Sequence, residues 1–184
     1  LPFKIDALGL SLCRRPRFWW FDWIVEAEDG VEIYLPPNSE ARSWGQVSFN
    51  LEVNPDDYLP YGWSLAGGTN HKLCTFTTSQ PKKGPGFKPA GVQSCSERDL
   101  SLWAGDRWRF PPHHYKYENG LVHKRKGWKM VGVSERECIL GLPLDYTLKC
   151  LPKQAVKTDP LKHEDTRLTL LGNSWGIQVA AFLM

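Results

Sequence analysis

Apolar and polar residues alternate most cleanly at 47–53. Val47, Phe49, Leu51 and Val53 fall on one side of an extended chain, and Ser48, Asn50 and Glu52 on the other. That two-residue period predicts a half-buried strand. Residues 3–8 read as a short strand. Residues 17–25, Arg-Phe-Trp-Trp-Phe-Asp-Trp-Ile-Val, have the aromatic and β-branched composition of a buried one. Gly9 to Pro16 would be the turn joining these two into a hairpin. Asp29-Gly30 marks a further turn before a strand over 31–35. Residues 54–95 are rich in Pro, Gly, Ser, Thr and Asn. Within them, 79–91 is too punctuated by proline and glycine to be helical and reads as a basic loop.

Helical signals come later. Ser96 with Asp99 predicts a capping box and a short helix to Ala104, and Arg107 to Tyr117 is an aromatic, basic stretch broken by Pro111-Pro112. Ser134 with Glu137 predicts a second box, opening a helix over 135–140 closed by Gly141 and Pro143. A polar linker over 149–166 follows. Then come a strand or tight approach over 168–171, a turn at Gly172-Asn173, and an apolar helix over 174–184.

Composition narrows the class. With 41% hydrophobic residues in 184, a packed core is expected. No apolar run approaches the ~20 residues of a membrane span. The start at Leu1-Pro2 and the apolar finish both read as cut edges. The five cysteines are scattered and form no C-x-x-C pair, which argues against a disulfide framework or zinc ribbon and for a reducing compartment. His71 and Cys74 have ligand-like spacing, but no second close pair completes a set. Residues 1–60 hold five Lys and Arg against ten Asp and Glu, whereas the remainder holds eighteen against ten. The basic part suits an anionic partner such as nucleic acid, and equally a solvated face.

Three segments resemble, in order, three signature motifs of the DNA cytosine-5 methyltransferase family. Gly9-Leu-Ser-Leu-Cys-Arg-Arg-Pro-Arg-Phe18 resembles the G-x-P-Q-x-R-x-R strand motif, with Ser11 and Cys13 in place of its Pro and Gln. Val133 to Thr147 resembles the T-x-x-E…G-F-P-x-x-Y-T helix motif. Leu170-Leu-Gly-Asn-Ser-Trp-Gly-Ile-Gln-Val179 resembles the final G-N-S motif, its Ser-Trp pair being most similar to the de novo class.

The resemblance implies an α/β fold: the C-terminal part of a Rossmann-like methyltransferase that uses S-adenosyl-L-methionine, with an irregular β-rich recognition lobe. Its divisions would be an edge hairpin at 1–34, target recognition at 35–125, and a return to the catalytic domain at 126–184. Such enzymes flip cytosine out of the duplex and add a thiolate to it before methyl transfer. Arg17 would then meet the cytosine O2, which gains charge, and Arg15 would hold phosphate or the catalytic loop. Asn173, Ser174 and Trp175 would start the last helix and face the methyl donor's carboxylate. Arg107, Arg109, Lys124, Arg125, Lys126, Lys82 and Lys83 would contact the DNA backbone. Without the family motif, each of these residues also reads as an ordinary surface, cap or core position. Glu118-Asn119-Gly120 reads as a turn.

No cysteine follows a proline, and the acidic-x-Phe-x-Gly-x-Gly donor loop is absent. A missing N-terminal segment would supply nucleophile and donor loop, in an intracellular protein that would be nuclear in a eukaryote. Alternatives are a non-catalytic DNA-binding relic or regulator, a transfer-RNA methyltransferase of the same fold, and a β-rich carbohydrate-binding module using its nine Trp.

Overall fold

The computed structural model describes residues 2–20, 29–35, 45–49, 52–78, 91–151, 160–174 and 176–183. Helices and sheets are mixed, as an α/β chain requires. β1 (Phe3–Asp6) and β2 (Pro16–Trp19) form the expected antiparallel hairpin, with Ile5 opposite Arg17. β3 (Val31–Tyr34) pairs antiparallel with β4 (Gly45–Phe49), and β4 runs parallel to β1. The resulting order is β2-β1-β4-β3. Alternation in β4 holds over its length: Val47 and Phe49 are buried and Gln46 is exposed. These strands bury Ile5, Val31, Val47 and Phe49 with Val179 of the last helix.

β4 lies within the region assigned to target recognition, yet it completes the first sheet. The division drawn at 34/35 therefore runs through that sheet. The aromatic run is corrected. Phe18 is 47% and Trp20 73% exposed, so β2 is an edge strand with one open face rather than a buried one. Residues 21–25, the rest of that run, lie outside the described residues.

A second antiparallel sheet holds β5 (Trp63–Leu65), β6 (Gly120–His123) and β7 (Gly127–Met130), in that order. The 125/126 boundary falls in the turn of its β6–β7 hairpin, so these three strands and the loops between them form one lobe. A bridge between Cys13 and Leu73 links this lobe to the N-terminal loop. One core runs through all three predicted divisions, from Leu12 through Leu65, Phe110 and Leu121 to Ile139, Leu168 and Leu171.

α1 (Glu97–Gly105) starts as predicted: Ser96 and Asp99 each accept from the other's backbone N–H. α2 (Val133–Ile139) does not. Its N-cap is Gly132, with no side-chain cap, so the Ser134–Glu137 box is not made. Gly141 (φ +81°) closes it in the left-handed region that favours glycine. After α3 (Tyr146–Lys149) comes α4 (Pro160–Asn173), and then α5 (Ile177–Leu183). Residues 152–159 of the predicted linker lie outside the described residues; from Pro160 onward the predicted linker, strand and turn are corrected, because α4 runs to Asn173, which ends a helix rather than preceding one. Among the described residues no helix is long and apolar enough to cross a membrane.

Candidate functional site

The first and last family-like segments meet through Arg15. Asp6 accepts from the backbone N–H of both Leu8 and Arg15 (3.2 and 2.6 Å), which folds the chain back after β1. This delivers the Arg15 side chain into the core, where it is only 2% exposed. Its Nε donates to the Ser174 carbonyl (2.8 Å), and its Nη2 to Leu171 and Gly172 (3.0 and 2.9 Å) and also to Ser174. Its Nη1 reaches Phe76 (3.3 Å). The last carbonyls of a helix lack partners within it and carry its negative end, so a guanidinium fork suits them. Burial, and then the nearby Arg17 charge, lower Arg15 to about 10; it remains a cation at neutral pH. The expected reach to phosphate or a catalytic loop is corrected, since these donors are spent on carbonyls.

Gly172 explains the glycine of the last segment. A Cβ there would lie 2.6 Å from the Thr78 backbone nitrogen, so only glycine lets α4 lie against 77–78. Asn173 is exposed at the break between α4 and α5. The Ser174 hydroxyl turns back to Leu171 (2.9 Å). Neither residue starts the last helix. That helix follows Gly176, and its first N–H, on Ile177, donates to Leu140 (2.9 Å). Trp175 lies outside the described residues. Arg17 is half-buried on β2, and its Nη1 makes a long contact to the Pro16 carbonyl (3.4 Å).

The middle segment is held by buried charge. Glu137 is fully buried and accepts from the Thr147 backbone N–H (2.8 Å), the Thr147 hydroxyl, and Arg167 Nη2 (3.0 Å). Arg167 also reaches Asp145 (3.0 Å), to which Ser134 donates (3.3 Å). The Ser, Glu and Thr of the resemblance thus share one network fastening α2, α3 and α4.

The basic candidates separate. Lys124, Arg125 and Lys126 are exposed at the tip of the β6–β7 hairpin. His123 Nδ1 accepts from the backbone N–H of Arg125 and Lys126 (3.1 and 3.2 Å) and rigidifies that turn. Beside it opens a cleft of about 710 Å³ lined by Tyr61, Gly62, Ser64, Val122, His123, Lys124 and Arg125. Arg107 is exposed, with a left-handed backbone (φ 53°), as is Trp108 (φ 56°). Arg109 is corrected: it is half-buried and paired with Glu164 and Asp165 of α4 (3.4 and 2.6 Å), and so is committed to the fold. Lys82 and Lys83 lie outside the described residues.

Burial raises the Cys13 thiol to about 11 and the Cys74 thiol to about 12, so neither is a thiolate at neutral pH. One grouping escaped the sequence. His71 pairs with Asn119 (3.2 Å), while Cys74 meets His113 and His114. The 40-residue separation between Cys74 and His114 hid that convergence. No family model matches the chain, and no curated protein is similar to it at a significant level.

Proposed function

We propose that the chain is the C-terminal part of a DNA cytosine-5 methyltransferase-like protein, from the end of a Rossmann-like fold. Its work is target recognition and one wall of the cytosine and donor pockets. The observation that carries this reading is the Arg15 clamp. Two family-like segments 159 positions apart are joined by hydrogen bonds, as two sides of one cleft must be.

Within that reading, Arg17, on an edge strand, supplies a permanent cation to the cytosine O2 as a thiolate adds elsewhere on the ring. Asn173 offers its exposed carboxamide to S-adenosyl-L-methionine. When bound, the donor supplies the methyl group. Lys124, Arg125, Lys126 and Arg107 hold duplex DNA by its phosphates. A segment carrying the Pro-Cys nucleophile and the glycine-rich donor loop completes the site, and a eukaryotic source would place the protein in the nucleus.

The test is an assay of the full gene product with labelled donor and duplex DNA. Label is expected on cytosine C5, falling on the order of 10²-fold in Arg17→Ala. Transfer to structured RNA but not to DNA would reassign the substrate. No transfer to either would remove the enzymatic reading.

A further inference from the structure

We propose that Cys74, His113 and His114 form a metal site of the zinc class. It stands apart from the nucleic-acid reading and uses none of those residues.

The three ligand atoms lie within 4.8 Å of one another. Cys74 Sγ is 3.6 Å from His114 Nδ1. With metal–sulfur near ~2.3 Å and metal–nitrogen near ~2.0–2.1 Å, tetrahedral ligand atoms stand roughly 3.5 Å apart. That pair therefore needs almost no movement. His113 is half-buried, and its ring lies 4.7 Å from that of His114.

The surroundings prepare the ligands. His114 Nε2 meets the Thr77 hydroxyl at 3.3 Å. A proton held there on Nε2 leaves the Nδ1 lone pair facing Cys74, the usual arrangement behind a metal-bound histidine. Both backbones are fixed. Leu73, next to Cys74, is bridged to the N-terminal loop, and Asn119 Nδ2 donates to the His113 carbonyl (2.8 Å).

Arg136 supports the thiolate. It is 1% exposed, lies over the Phe76 and Phe110 rings (4.9 and 4.7 Å), and has a buried Nη1 without a hydrogen-bond partner among the described residues. Burial lowers this guanidinium to about 10, and the Cys74 sulfur beside it opposes that fall. Deprotonation of Cys74 on metal binding gives that guanidinium an anion. The same cation opposes the metal's own charge, so binding is weaker than in a closed four-ligand site. Cys74 and His113 are only half-buried, which leaves a fourth position for solvent.

Cobalt(II) titration of the 184-residue chain tests this. One equivalent should bind, with visible bands of tetrahedral cobalt and a sulfur-to-cobalt charge-transfer band. Cys74→Ser should abolish the charge-transfer band. Thr77→Val should weaken binding about 10–100-fold, and His113→Asn at least about tenfold. Failure to bind one equivalent overturns the proposal. So does a charge-transfer band that survives Cys74→Ser, which would belong to Cys95, Cys138 or Cys150. Should that variant misfold, unchanged affinity in His113→Asn overturns it equally.

Discussion

Two arginines two positions apart have opposite fates. Arg15 satisfies three carbonyls at the end of α4 and one at Phe76, while Arg17 stays on an edge strand. A lysine at 15 keeps the charge but cannot fork, so Arg15→Lys is expected to cost about 1.5–3 kcal/mol. Arg17→Ala should stay within about 0.5 kcal/mol. Urea midpoints measure both, and similar losses for the two would mean that the clamp is not made. The sequence marked both arginines, but only their order along the strand. It could not show that Asp6 turns Arg15 inward, because that depends on a hydrogen bond nine residues back.

Among the elements, α1 was legible because its cap is local, made by Ser96 and Asp99 three positions apart. α2 carried the same pattern with a different outcome. The more distant Thr147 and Arg167 compete for Glu137 and win, because they neutralise a buried carboxylate and a cap does not. Glu137→Ala leaves Arg167 with only the half-exposed Asp145 as a counter-charge and removes the acceptor of the Thr147 N–H, and should cost about 3 kcal/mol. Ser134→Ala should cost under about 0.5 kcal/mol, against about 1 kcal/mol for a lost cap. Thermal unfolding of the two variants decides between these accounts, and a large Ser134 effect would restore the capping box. α4 was illegible for another reason. Its described stretch buries only Leu168 and Leu171, and its Lys-His-Glu-Asp-Thr-Arg run resembles a linker until Arg109 and Arg15 are seen to use it.

Across the whole molecule, the strands of the first sheet followed from periodicity and composition, whereas the second sheet, α4 and the joining of front to back did not. The shared core from Leu12 to Leu171 crosses the divisions drawn along the chain, and it packs the lobe carrying the β6–β7 hairpin against the loop that follows β1. On the proposed reading such a body would bind DNA with a fixed set of phosphate contacts, and the His123-braced turn presents three cations together. The most direct measurement is duplex DNA affinity against salt concentration, for the chain and for a variant with Lys124, Arg125 and Lys126 all changed to alanine. The logarithmic slope should become shallower by about 2.7, close to 0.9 for each lost contact. An unchanged slope, or an affinity indifferent to salt, would contradict the account.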